Sequence, residues 1–258
     1  MRARYLVAYG DVRLDTLRDG HGVPLVLLPS SSRDSEDFDD VAERLAANGF
    51  MVLRPQPRGM LGSTGPLTGI TQHDFARDVA EVIRHANAGP AIVCGHAYGN
   101  WVARTVAADF PNLVRGVVLA AASARTSAPE LGAALARAAN IALPDADRLA
   151  ALQFAFFAPG HDPSSWLAGW HTAMTAAQRA ATSAAPRSEW WTAGRAPVLD
   201  IQAACDPWRP KGTENDFSDD LGAGRVTIRV IQDASHALFP EQPAALVDAI
   251  TEWAHARR

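Results

Sequence analysis

The stretch Val93-Cys94-Gly95-His96-Ala97-Tyr98-Gly99-Asn100-Trp101-Val102 constrains this chain more than any other. An apolar run (Ala91, Ile92, Val93) meets two glycines that flank three residues, and an apolar-periodic segment then runs from Trp101 to Phe110. The pattern predicts strand, sharp turn and helix. The glycines let the chain turn tightly, so the middle residue stands above the strand end beside backbone N–H groups and a helix N-terminus, the position of a nucleophile elbow. That residue is Ala97, which has no atom able to attack an electrophile.

The surrounding chain bounds what such a turn can serve. With 258 residues, 48% of them hydrophobic, there is enough chain for one large domain with an insertion. A formal charge of −4 offers no basic surplus for nucleic acid or an anionic membrane, so the expected partner is a small molecule, in a monomer or a homodimer. Cys94 and Cys205 are the only cysteines and lie far apart, which indicates neither a disulfide framework nor a zinc site and suits a reducing, cytoplasmic setting. Met1 to Tyr5 lead into an alternating pattern, and no run nears the roughly 18 apolar residues of a membrane span, so neither export nor membrane insertion is expected.

Residues 3–17 alternate as two strands joined at Gly10-Asp11, and Val23 to Leu28 is a short, wholly apolar run that suits a strand buried on both faces. A polar loop, Ser30 to Ser35, precedes a helix over 38–48 ended by Gly49. A strand at 50–53, a helix at 71–88, the elbow strand with its helix, and a strand at 114–122 follow. This alternation predicts a mostly parallel, doubly wound α/β sheet with ligands at the carboxyl ends of its strands. Residues 124–195 break the rhythm. They are alanine-rich and hold Phe154, Phe156, Phe157, Trp166, Trp170, Trp190 and Trp191, which reads as a helical cap between the sixth and seventh strands. The core is then 1–123 and 196–258, with strands at 198–203 and 226–231, a helix near 213–221 and a last one at 244–255.

Three loops at strand ends carry functional residue types in a telling order: Ala97, then Asp206 in Gln202-Ala203-Ala204-Cys205-Asp206, then His236 in Ser235-His236-Ala237, with Pro240-Glu241-Gln242-Pro243 behind it. Nucleophile, acid, histidine is the order of the α/β-hydrolase arrangement. From about residue 20 to its end the chain resembles that superfamily, with Gly95-His96-Ala97-Tyr98-Gly99 at the place of Gly-His-Ser-x-Gly. It departs from the pattern twice: the serine is absent, and the His-Gly pair usual after the third strand is here Pro29-Ser30, followed by Ser31. The resemblance implies an oxyanion hole from the backbone N–H groups of Ser31 and Tyr98, with the Ser31 hydroxyl as a third donor, and Ser30 at the substrate. A turn of three serines also does well simply by solvating itself.

Asp206 would hold the His236 imidazole in one tautomer and leave its other nitrogen free as an acid or base near neutral pH. Without a serine that nitrogen faces a space about one hydroxyl wide, fit for a water or a substrate's own acidic hydrogen. Trp166, Trp170, Phe157 and, more weakly, His171 are candidates for a flat, apolar or cyclic substrate, although aromatic stripes are more often a helical core. Cys94 belongs to a strand and reads as core. His161-Asp162 and His171 match no metal spacing, and no cofactor motif appears: no Gly-x-Gly-x-x-Gly follows a strand. Three accounts of Ala97 stand. The chain is an enzyme for small ester, lactone or carbonyl substrates that uses His236 and Asp206 without a serine; or it is a serine hydrolase stopped by a Ser-to-Ala exchange; or it is a ligand-binding protein on this scaffold.

Overall fold

The computed structural model describes residues 2–257, so Met1 lies outside the described residues. Strands β1 (Arg2–Tyr9) and β2 (Val12–Asp19) form an antiparallel hairpin, and β2 pairs antiparallel with β4 (Phe50–Pro55). From there every pairing is parallel, through β3 (Val23–Leu28), β5 (Ala91–His96), β6 (Val114–Ala120), β7 (Val198–Ala203) and β8 (Val226–Ile231). The order across the eight-stranded sheet is β1-β2-β4-β3-β5-β6-β7-β8. The expected mostly parallel α/β sheet is therefore present.

Successive side chains of a strand point to opposite faces, and the two helical layers divide accordingly. On β3, Val26 and Leu28 face α2 (Gln72–Ala86) and α3 (Tyr98–Asp109), whereas Leu25 and Leu27 face α1 (Asp39–Ala47) and α10 (Pro243–His255). Burying each such leucine contributes about 1.5–3 kcal/mol, which explains why β3 is wholly apolar rather than alternating. Arg54 on β4 is fully buried and pairs with Asp19 at 2.8 Å and Asp39 at 2.5 Å, tying the hairpin to α1.

Between β6 and β7 lie α4 (Pro129–Ala139), α5 (Asp145–Ala155), α6 (Ala173–Ser183) and the short α7 (Arg187–Trp190). They keep a separate apolar cluster of Leu131, Leu152, Phe156, Phe157 and Trp166. After β7 come α8 (Asp216–Leu221) and, beyond β8, the single turn α9 (Leu238–Glu241). Two helices begin later or earlier than their periodicity suggests. Residues 213–215 stay outside α8 because Thr213 Oγ1 donates to the Pro210 carbonyl and Arg209 Nε donates to the Thr213 carbonyl, which fixes a turn there. Helix α3 starts at Tyr98, three residues before its apolar face, because the whole chain reversal is made at Ala97.

Candidate active site

The carboxyl ends of β3, β5, β7 and β8 deliver four loops to one side of the sheet. At the end of β5, Ala97 adopts φ 48° and ψ −111°, a conformation that costs an L-residue about 1–3 kcal/mol. The surroundings hold it there. Its N–H donates to the Ala120 carbonyl at 3.1 Å, and its own carbonyl accepts from the Asn100 N–H at 3.1 Å and from Asn100 Nδ2. The flanking glycines are required by space: a Cβ on Gly95 would lie 2.2 Å from the Gly99 carbonyl carbon, and one on Gly99 would lie 2.3 Å from the Leu28 oxygen.

Asp206 and His236 are buried and paired. His236 Nδ1–H donates to Asp206 Oδ2 at 2.9 Å, and Asp206 Oδ1 also accepts from the Trp208 N–H at 2.9 Å. Among the described residues His236 Nε2 has no protein partner, and the residue lines a cavity of about 170 Å³. Three further groups fix the histidine loop. His96 Nε2–H donates to the His236 carbonyl at 2.7 Å, and burial, reinforced by the His236 charge, pushes the His96 pKa down to about 3, so His96 is neutral. The Ala237 N–H donates to the Phe156 carbonyl at 2.7 Å. Glu241 accepts from the Ser235 N–H at 2.6 Å and from the Ala158 N–H at 2.5 Å. Burial pushes its carboxyl above the usual range although those two N–H groups oppose the shift.

The loop after β3 faces the elbow. Tyr98 opens α3, so its N–H belongs to the set that a helix leaves unpaired, and among the described residues neither it nor the Ser31 N–H donates to a protein acceptor. The Ser31 hydroxyl does not serve as a third donor into the cavity. It donates to Gln178 Oε1 at 2.9 Å, and the same oxygen accepts from the Ser32 N–H at 3.0 Å. Gln178 on α6 thus holds the loop from above, while Tyr98 O–H donates to Gln72 Oε1 at 3.1 Å.

Ser30, Ser31, Ala97, Tyr98 and His236 all line the cavity, with Asp206 directly behind His236. Trp166, Trp170, Phe157 and His171 do not line it, and the reason is Arg33. This buried guanidinium lies 4.7 Å from the Trp166 ring and 4.8 Å from the Trp170 ring, pairs with Asp37, and donates to the Ala168 carbonyl at 2.5 Å. Both indoles are committed to that cation. Phe157 packs edge-on against Trp166, and His171 Nε2 bonds to Asp34 Oδ2 at 2.8 Å. The aromatic rings around the imidazole are instead Phe156 and Trp208, with ring centroids 5.7 and 5.3 Å from that of His236. Trp208 directly follows Asp206-Pro207, so its place was available from sequence. Gln178, Arg179 and Trp101, which also line the cavity, carried no such signal. Cys94 is buried within β5 and burial pushes its thiol up to about 12, which leaves it unreactive. Among the described residues no group of three or more His, Cys, Asp or Glu side chains could hold a metal, and no helix is long and apolar enough to cross a membrane.

Residues 25–249 match the model of the Alpha/beta hydrolase family. The 2-(acetamidomethylene)succinate hydrolase of Mesorhizobium japonicum is 33% identical over 112 residues, 43% of this chain and 40% of that protein. The soluble epoxide hydrolase of Corynebacterium sp. is 34% identical over 102 residues, 40% of this chain and 35% of that protein. The chain thus matches less than half the length of these curated relatives. Among solved structures, a thermophilic esterase from Thermogutta terrifontis superposes with a TM-score of 0.75 at 22% identity, covering 100% of this chain and 99% of that one. An E-2-(acetamidomethylene)succinate hydrolase superposes with a TM-score of 0.74 at 23% identity, covering 99% and 100%. At these identities the likeness is one of fold.

Proposed function

Because the chain belongs to the Alpha/beta hydrolase family, we propose that it is an enzyme in which His236, held by Asp206, acts as general base on a small ester, lactone or related carbonyl substrate without a serine nucleophile. One observation carries the reading: His236 keeps its bond to Asp206, its Nε2 has no protein partner among the described residues, and the residue lines the cavity that Ala97 also lines. The naming of the relatives as hydrolases supports the reaction class.

The reaction runs in two steps. Nε2 takes a proton from a water held over the Ala97 methyl group as the water oxygen bonds to the carbonyl carbon. The carbonyl electron pair moves onto oxygen, toward the unpaired N–H groups of Ser31 and Tyr98, and donors so placed lower the barrier by several kcal/mol. Collapse of the tetrahedral species breaks the bond to the leaving alkoxide, which takes the proton from Nε2–H. Products are a carboxylic acid and an alcohol, or the hydroxy acid from a lactone. Asp206 stays ionised throughout and stabilises the imidazolium.

The test is a panel of activated esters and lactones in ¹⁸O-water. The proposal expects one labelled oxygen in the acid product, no covalent species by intact mass during turnover, and a loss of about 10²–10⁴-fold in kcat for His236→Gln. Unchanged turnover in His236→Gln would sink it.

A second reading is favoured by the elbow itself. Ala97 bears the backbone strain that serves to present a nucleophile, and an alanine gains nothing from it. On that reading the chain is a serine ester, lactone or thioester hydrolase carrying Ala for Ser, and Ala97→Ser would be labelled stoichiometrically by a fluorophosphonate. Absence of labelling in Ala97→Ser excludes it and leaves base catalysis.

A further inference from the structure

The cavity at His236 does not end at the catalytic groups. A second cavity of about 410 Å³ shares Leu135 and Arg179 with it and takes its polar wall from Ser32, Asn140, Thr172 and Thr175. The chain has 28 aspartates and glutamates, yet none lines either cavity. Arg179 is the one permanently charged side chain among the residues lining both.

Arg179 is exposed at the rim the two cavities share, and its guanidinium is unspent on other side chains. Among the described residues it makes no ion pair and no hydrogen bond through its guanidinium, although the two buried arginines nearby are fully committed: Arg33 to Asp37 and the Ala168 carbonyl, Arg148 to Asp145 and the carbonyls of Ala138 and Leu167. Its position is fixed by the helix. Thr175, Gln178, Arg179 and Thr182 recur every three or four residues along α6 and so share the face turned toward the two cavities. Gln178 on that face clamps the loop of Ser31, which sets Arg179 one residue from the group that frames the reacting carbonyl. A cation so placed, with no carboxylate opposite it, attracts an anion and presents a planar fork of donors that suits a carboxylate.

We propose that the ligand of this site is an anion: a small molecule that places its reacting group over Ala97 and a carboxylate, or a group of like charge and shape, against Arg179 where the two cavities meet. This names the substrate class of the site proposed above and rests on that reading for the reacting end alone, since anion capture needs no turnover. Selectivity for charge then comes from the helical segment and not from the sheet edge.

The experiment is calorimetric binding of a series of matched carboxylic acids and their amides, from acetate and acetamide to indole-3-acetate and indole-3-acetamide. It is run on the parent chain, Arg179→Gln, Arg179→Lys and His236→Gln. The acid of at least one pair binds the parent chain about tenfold tighter than its amide, an advantage that shrinks between about 50 mM and about 500 mM salt. Arg179→Gln removes the preference, Arg179→Lys keeps part of it, and His236→Gln leaves it in place. If no acid outbinds its amide, or if the preference survives Arg179→Gln, the proposal is overturned. Retained preference in a chain that turns nothing over would instead overturn the base-catalysis reading and leave the anion site standing.

Discussion

The two walls of the cavity are built by opposite means. On the sheet side the geometry is made by backbone: a left-handed turn at Ala97, two glycines with no room for a Cβ, and a histidine loop held through the His236 carbonyl, the Ser235 N–H and the Ala237 N–H. On the helical side it is made by side chains, with Gln178 reaching down to the Ser31 loop and the mutually perpendicular indoles of Trp166 and Trp170 closing over Arg33. Backbone placed by a sheet cannot shift without disturbing its neighbours, whereas a side chain on a helix can be exchanged for another. The proposed reaction and the proposed anion site divide along the same line: the first rests on the rigid wall, the second on the replaceable one.

The sharpest way to break that contrast is Gly99→Ala. Its Cβ would meet the backbone oxygens of Leu28 and Pro29 at 2.3 and 2.7 Å, so the strand and elbow must part, at a cost of about 4 kcal/mol or more in urea unfolding. A loss under about 1 kcal/mol would show the sheet side to be as yielding as the helical side.

Next in size is an acid effect. His96 is neutral in the fold with its pKa lowered to about 3, against about 6.5 when exposed, so the unfolded chain binds the proton first. The contribution is present above about pH 6.5 and is lost as the pH falls toward 3. Between pH 6.5 and 4.5 it amounts to about 2 kcal/mol. Stability measured against pH in His96→Phe should lack that share of the decline, and an unchanged acid limb would remove His96 from the rigid wall.

Smaller again is Gln178→Leu, which leaves the Ser31 hydroxyl and the Ser32 N–H without their acceptor. Stability should fall by about 1–2 kcal/mol and kcat by about tenfold, with Gln178→Glu, which keeps the oxygen, recovering most of both. The smallest effect is expected for Trp170→Leu: about 1 kcal/mol of stability from the lost contact with Arg33, and turnover within about twofold of the parent. A large kinetic defect there would return the indole to the substrate side.

What the sequence makes legible follows the same division. The runs 23–28, 198–203 and 226–231 match β3, β7 and β8 in full, because short segments rich in apolar and β-branched residues between turn signals leave a strand few alternative bounds. The loops bearing Ala97, Asp206 and His236 could be set at one sheet edge from the alternation alone. The helical wall could not. Arg33 sits in a serine-rich loop that reads as solvated, and the indole that covers it lies 133 positions away in Trp166, a pairing that no periodicity announces. The aromatic residues do not form one group: Phe156, Phe157, Trp166 and Trp170 pack together, Trp190 and Trp191 pack against Trp101 and Phe217, and Phe154 is exposed, and which of them face His236 depends on that one buried cation. Gln178 and Arg179 look like ordinary polar positions of an amphipathic helix until α6 is laid over the Ser31 loop.

Glu241 joins two moments of the chain's history. Its carboxylate receives one N–H from Ala158, at the root of the helical segment, and one from Ser235, beside His236. During synthesis from the N-terminus the elbow at Ala97 emerges more than a hundred residues before Ser235 and Glu241, and domains close as units only when their distant contacts exist. Until residue 241 is made, the histidine loop and the root of the helical segment lack this common tie. Residues 235–241 are therefore the latch, joining the histidine loop and the roof above it through one carboxylate.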